Sequence, residues 1–99
     1  MRKIEKQMVR AVNNRDNWAL ANTQVHTVVE DENTISRVFL HGHHIADFVH
    51  GGYGCGWIEP NRKTLLDWPT RTTMSRLRAL GVDVCTRRGD VYLNGEKLA

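Results

Sequence analysis

The sequence predicts an α+β fold: an N-terminal helix, an antiparallel sheet of three to five strands, one further helix at about 71–80 and a C-terminal β-hairpin. Three observations predict this class. Apolar residues recur at helical spacing in residues 2–14, and from Thr23 the spacing changes to every second residue. Thr70 and Gly81 then stand where a helix would begin and end.

The N-terminal helix is predicted from its apolar stripe of Ile4, Met8 and Val12. Basic residues occupy the other side, which we expect to face water. Two consecutive asparagines, Asn13 and Asn14, favour a turn and therefore end the helix.

The strands of the sheet are predicted from alternating apolar residues with turn residues between them. The second strand alternates imperfectly, so we expect a β-bulge in it. The glycine-rich segment at 51–56 is consistent with a loop or with a strand weakened by glycine. The predicted strands lie at 23–30, 35–40 and 45–49, and Trp57 and Ile58 continue the glycine-rich segment.

The C-terminal hairpin is predicted from two alternating segments, Val82–Thr86 and Val91–Leu93. The sequence Arg87–Asp90 between them contains glycine and favours a turn. Asn94–Gly95 is a further strong turn signal after the second strand.

Size and composition indicate one domain that does not enter a membrane. The chain has 99 residues, which suits one core, so we expect a single domain over 1–99. It has no apolar run of about eighteen residues and no apolar stretch of the secretory type near Met1, so we expect a cytoplasmic setting and no membrane partner. In a reducing cytoplasm, Cys55 and Cys85 are expected to be free thiols.

Charge is distributed unevenly along the chain, whose net charge is +3. Residues 1–15 carry five bases and one acid, and residues 60–89 carry seven bases and two acids. Between them, residues 16–59 carry six acids and one base. If the two basic segments meet in space, they form a face suited to phosphate, but the sequence leaves open whether they do.

The helix at 71–80 and its surroundings indicate contact with nucleic acid. "LLDWPTRTTMSRLRALG" resembles the second half of a helix-turn-helix, and the Val82–Leu93 hairpin resembles the wing of a winged-helix domain. Against this, no convincing helix precedes Leu65, and Pro69 interrupts the turn. The alternative is a capped helix that covers the sheet and whose arginines are solvated. The candidate nucleic-acid-binding residues are Arg71, Arg76, Arg78, Arg87, Arg88, Arg62 and Lys63.

Histidines and a cysteine in "HGHHIADFVHGGYGCG" are the candidate metal ligands, because zinc accepts nitrogen and sulfur donors. Their spacing matches no standard zinc site, so we expect structural or exposed histidines and no bound metal. Zinc binding is the third and weakest hypothesis for the function. The residues concerned are His41, His43, His44, His50 and Cys55.

Catalytic patterns are weak, so we expect no enzyme and no cofactor. The glycine-rich segment lacks the Lys-Ser/Thr pair of a phosphate-binding Walker loop. Cys55 has no obvious base partner other than the nearby His50, so a nucleophilic Cys–His pair is only weakly indicated. The acids of the middle segment are scattered, with no spacing that pairs two of them for general acid–base chemistry.

Three segments together resemble a family of small accessory proteins of tailed bacteriophages, especially short-tailed ones. These are "MRKIEKQM", "LHGHHIADF" and "WPTRTTMSRLRALGVDV" followed by "YLNG". His43 stands where the family pattern has asparagine. The resemblance implies action in a bacterial cytoplasm during infection, and it brings no established activity.

Binding without catalysis is therefore the expected function. The leading hypothesis is contact with the phosphate backbone of nucleic acid through the basic helix and hairpin, with DNA or RNA left open. The alternative is a protein that inhibits or modulates a host or defence factor through an apolar patch. A homodimer through an open sheet edge is also left open.

Overall fold

The computed structural model describes residues 1–51 and 56–98, and its α+β architecture confirms the predicted class. The helices are α1 (Lys3–Asn13), α2 (Arg62–Asp67) and α3 (Arg71–Ala79). One antiparallel sheet holds β1 (Trp18–Leu20), β2 (Thr23–Glu30), β3 (Asn33–Leu40), β4 (His43–His50) and β5 (Gly56–Pro60), in that order. A smaller sheet holds β6 (Val84–Arg87), β7 (Asp90–Leu93) and β8 (Glu96–Lys97).

The ends of α3 confirm the prediction made from its capping residues. The Thr70 side-chain oxygen accepts a hydrogen bond from the Thr73 backbone N–H at 3.1 Å, which satisfies one of the unpaired donors of the first turn. Gly81, just after the helix, has a φ of +95°, where a residue with a side chain would be strained.

Helix α2 was not predicted, since the sequence shows no convincing helix before Leu65. Asn61 caps it by accepting from the Thr64 N–H at 3.1 Å, and Leu65 is its buried residue. A six-residue helix shows no repeated apolar stripe, so its cap was the only local signal.

Tight turns connect the successive strands of the large sheet from β1 to β4. The β2–β3 turn has positive φ at Asp31 and Glu32, and the β3–β4 turn has positive φ at His41 and Gly42. Two central residues with positive φ match the right-handed twist of the paired strands. The sheet is thus a meander in which neighbours in the chain are neighbours in space.

The expected β-bulge is present, but the extra residue lies in β4 and not in β3. Val38 pairs with Ala46, whereas Phe39 pairs with His44, so Ile45 has no partner across the strands. Because the extra residue shifts the side-chain alternation, Ile45 and Ala46 are both buried.

The helices cover one face of the large sheet and leave the other face open. Helix α1 contacts β2, α3 contacts α1 and β4, and the smaller sheet packs against α3. The covered face supplies most of the sheet's buried residues, whereas the alternate side chains of β2 and β3, such as His26 and Phe39, lie on the open face. The core includes Met8, Val12, Val25, Val38, Leu40, Ile45, Leu65, Met74, Leu77, Val84, Val91 and Leu93.

A buried ion pair joins α1 to α3 on the covered side of the large sheet. Arg76 Nη1 donates to Glu5 Oε2 at 2.8 Å, and both side chains are only 4% exposed. Arg76 Nε also donates to Thr23 Oγ1 at 3.1 Å, which ties the pair to β2. The Ser75 hydroxyl donates to the same Glu5 oxygen.

The second oxygen of Glu5 secures the start of α1. It accepts from the backbone N–H of Arg2 at 3.3 Å, in the manner of a capping box. Burial acts to raise the pKa of Glu5, but the hydrogen bonds from Ser75, Arg76 and Arg2 and the charge of Arg76 outweigh it and lower that pKa. Glu5 is therefore held as a carboxylate.

We predict that Arg76→Met lowers the free energy of unfolding by about 3–5 kcal/mol, because Glu5 is left charged and buried without its partner. The double variant Glu5→Gln/Arg76→Met should recover part of this loss, since no uncompensated charge remains. Urea unfolding at neutral pH measures both changes.

Arg71→Met is the matched control, because Arg71 is an exposed arginine of the same helix. It should change the free energy of unfolding by no more than about 0.5 kcal/mol. Equal effects of Arg71→Met and Arg76→Met would show that the buried pair has no special role.

Candidate nucleic-acid interface

A cleft of about 410 Å³ lies between the start of α1, the outer side of α3 and strand β6. Among the described residues, the charged ones that line it are three arginines. Arg2 comes from the first basic segment of the chain, and Arg71 and Arg78 come from the second. The cleft is lined by Arg2, Pro69, Arg71, Met74, Ser75, Arg78 and Thr86.

The spacing of residues along α3 accounts for one wall of this basic cleft. Arg71, Ser75 and Arg78 are separated by four and three residues, so they lie on one side of the helix. Arg78 Nε donates to the backbone oxygen of Val84 at 2.9 Å, which orients its guanidinium. Within the part of the chain that the structure describes, the other guanidinium nitrogens of Arg78 make no hydrogen bond, so they can donate to a ligand.

The opposite wall depends on the buried pair of Glu5 and Arg76. Because that pair fixes the first turn of α1 against α3, Arg2 at the helix start lines the same cleft as Arg71 and Arg78. The question that the sequence left open is thus settled for these residues: the two basic segments do meet.

The arginines of the basic cleft are not neutralised by acids in the described part of the chain. Within residues 1–51 and 56–98, Arg2, Arg71 and Arg78 take part in no ion pair. Glu5 borders an adjoining hollow of about 240 Å³ with Arg78, but its carboxylate is already bound to Arg76 and Ser75. The cleft therefore carries a net positive charge suited to an anion.

The turn of the β6–β7 hairpin stands beside the basic cleft. Thr86 of β6 lines the cleft, and Arg87 and Arg88 follow it directly. The guanidinium of Arg87 lies 5.7 Å from the ring centroid of Tyr92, on the outer side of the small sheet. Both arginines are exposed, and neither is ion-paired within the described ranges.

The prediction that Arg76 is a surface contact for nucleic acid is wrong. Its side chain is 4% exposed and is held by Glu5 and Thr23, so no phosphate can reach it. Its role is to position the cleft rather than to line it.

Arg62 and Lys63 lie away from the basic cleft, on α2. Arg62 lines a different cleft of about 430 Å³, which it shares with the acid Glu59. Lys63 is exposed and lines neither cleft. The structure therefore brings together Arg71 and Arg78, places Arg87 and Arg88 beside them, and separates Arg62 and Lys63 from this group.

Helices α2 and α3 and the β6–β7 hairpin follow one another in the chain, and α2 lies where the sequence shows no convincing helix. The outer side of α3, however, lines a cleft that Arg2 closes on one side. The outer side of α3 is therefore one wall of a cleft and not a freely projecting surface.

The histidines are distributed over different parts of the large sheet. His41 and His43 contact Trp68, His44 bonds to Asp47 and Asn61, and His50 bonds to Ser36. Residues 1–51 and 56–98 contain no group of three or more ligands that could hold a metal. Cys55 lies outside the described residues, and Cys85 is a free, half-buried thiol.

His50 belongs to a polar row that the sequence analysis did not anticipate. Its Nε2 lies 2.8 Å from Ser36 Oγ, which in turn lies 3.1 Å from Thr27 Oγ1 on the next strand. Ser36 is fully buried, so the row binds strands together rather than presenting a nucleophile. Burial and the positive charge of Arg15 lower the pKa of His50.

The fold and the cleft together define a small α+β protein with a basic cleft. The chain belongs to the Kyanoviridae Gp96 protein family, whose model matches residues 1–98. Kyanoviridae are cyanophage myoviruses, so the expected phage origin is confirmed, whereas the short-tailed type is not supported. Neither the curated proteins nor the solved structures contain a match to the chain. Over the described ranges, no helix is both long and apolar enough to cross a membrane.

We predict that the protein loses stability between pH 7.5 and 5.5 in part through His50. Because its pKa is lowered in the folded state, the unfolded chain takes up a proton first as the pH falls below the ordinary value of about 6.5. The free energy of unfolding then decreases. Urea unfolding at the two pH values should show a smaller loss for His50→Gln than for the unaltered chain.

His26→Gln is the control for this measurement, since His26 is an exposed histidine on the open face of the sheet. It should leave the pH dependence of unfolding as it was. A pH dependence that is the same in His50→Gln and the unaltered chain would contradict the role given to His50.

Proposed function

We propose that this protein is a non-enzymatic phage accessory protein that binds the phosphate backbone of nucleic acid in the basic cleft, within the cytoplasm of the infected cell. One observation carries the proposal. Arg2, Arg71 and Arg78, from two distant parts of the chain, converge on one cleft, and none of them is ion-paired in the described residues.

Arginine suits this role because its planar guanidinium offers several N–H donors to phosphate oxygens. Arg78 is already oriented by Val84, so less conformational freedom is lost when it binds. Arg87 and Arg88 extend the positive surface beyond the cleft, so they can contact further phosphates of a nucleic-acid strand that passes the hairpin turn. The contacts reach phosphate rather than base edges, so we expect little dependence on sequence.

A second candidate function is binding to a host protein through the open face of the large sheet. The observation that favours it is the exposure of Trp57, whose side chain is 49% exposed on that face. Tryptophan is one of the residues that most often anchor a protein–protein interface when a partner buries it. A partner there would be held mainly by apolar contacts, so salt would have little effect on the affinity.

We predict that the protein binds generic DNA at about 50 mM salt and that the affinity falls steeply toward about 200 mM, as bound phosphates release counterions. Arg71→Gln/Arg78→Gln should weaken binding about ten-fold or more and reduce the slope of log affinity against log salt by about 2. Fluorescence anisotropy of a labelled oligonucleotide measures both quantities.

The matched control is Arg62→Gln/Lys63→Gln, which removes the same charge from a place outside the basic cleft. It should change the affinity by only a small factor. Equal losses in the two double variants would assign binding to net charge alone, and no binding at about 50 mM salt would refute nucleic-acid binding.

For the second candidate, a tagged chain in nuclease-treated lysate should retain a protein in stoichiometric amount. Trp57→Ser should abolish that retention, whereas Arg71→Gln/Arg78→Gln should leave it unchanged. The opposite dependence would exclude the open face as the binding surface.

A further inference from the structure

We propose that the nucleic acid is single-stranded, because an aromatic cluster next to the basic cleft can stack an unpaired base. We call the set of Trp68, His41 and His43 the Trp68 cluster. The inference rests on the proposed function, since it specifies whether the nucleic acid bound at the basic cleft is single-stranded or duplex.

The Trp68 cluster brings an indole together with two exposed imidazoles. The ring centroids of His43 and Trp68 are 4.4 Å apart, with the ring planes tilted by 42°. The His41 ring meets Trp68 edge-on, with centroids 5.7 Å apart. Both histidines are exposed at the tight β3–β4 turn, while Trp68 is half-buried and packs on the core. The cluster is therefore a supported aromatic surface open to solvent.

The cluster and the basic cleft are contiguous along the chain. Pro69 lines the cleft and directly follows Trp68, so the Cα atoms of the two residues are about 3.8 Å apart. The cluster therefore borders the cleft at Pro69, and in the proposed complex a phosphate of the strand occupies the cleft while a neighbouring base stacks on the cluster.

A chain of hydrogen bonds also fixes the cluster relative to the cleft. His41 Nε2 lies 3.3 Å from the Asn22 amide nitrogen, and the Asn22 oxygen accepts from Thr23 Oγ1 at 2.9 Å. Thr23 is bound by Arg76, which holds Glu5 below the cleft. Both parts of the surface are therefore preorganised, which favours binding.

Unpaired bases are the ligands that suit this arrangement. The bases of a duplex stack on one another and present only their edges in the grooves, whereas the bases of a single strand can stack on aromatic side chains. The open face of the large sheet also carries rings, His26, Phe39 and His44, but it holds Glu30 and Asp47, which repel phosphate. The Trp68 cluster, in contrast, adjoins the basic cleft through Pro69.

The test compares a labelled single-stranded oligonucleotide with a duplex of the same length, for the unaltered chain and two variants. The single strand should bind more tightly than the duplex. His43→Ala should weaken binding of the single strand about five-fold or more and leave the duplex unchanged. His43→Phe, which keeps a ring, should restore the affinity for the single strand.

His26→Ala is the control, because it removes an exposed histidine from the opposite face of the sheet and should affect neither probe. A direct readout is the fluorescence of Trp68 in a chain with Trp18→Phe and Trp57→Phe, whose folding is checked by circular dichroism. The single strand should quench this fluorescence, and the duplex should not.

The failures of the two proposals are distinguishable. Equal binding of both probes that depends on Arg71 and Arg78 but not on His43 would overturn the single-strand inference and leave phosphate binding intact. Binding of neither probe at about 50 mM salt would overturn both.

Discussion

The buried pair of Glu5 and Arg76 is the interaction on which the rest of the structure depends. It holds two opposite charges away from water, which is costly unless both are fully hydrogen-bonded, and here Ser75, Thr23 and the backbone of Arg2 complete the set. Because the pair joins α1, α3 and β2, it sets where the helix start lies relative to α3. The basic cleft is a consequence of that placement.

The two faces of the large sheet are chemically different. On the covered side, helices bring arginines together without carboxylates to neutralise them in the described residues. On the open side, Arg37 is engaged by Glu30 and Asp47, and His44 is bound to Asp47. Since paired charges attract ligands weakly, positive potential is concentrated beside α3 and the hairpin.

Local signals in the sequence predicted most of the fold. Alternation located β2, β3, β4, β6 and β7, and Thr70 and Gly81 located α3, since these features depend on neighbouring residues only, whereas the short strands β1 and β8 were not predicted. The cleft could not be predicted in this way, because Arg2 meets Arg71 and Arg78 through tertiary packing. Arg76 was predicted to be exposed, but it flanks the apolar stripe of α3 and is buried with that stripe against α1 and β2. One overlooked signal was Glu5, which precedes Met8 and Val12 by three and seven residues and so lies on the buried stripe of α1, where an acid needs a partner.

The two-residue turns of the sheet have a consequence for the order of assembly. Strands joined by such turns pair at short sequence separation, so little chain entropy is lost before their hydrogen bonds form. Glu5 and Arg76 are 71 residues apart, and their contact closes nearly the whole chain into a loop. The meander from β1 to β4 can therefore form during synthesis, whereas the docking of α3, and with it the clustering of the arginines, must wait until the C-terminal third of the chain has emerged.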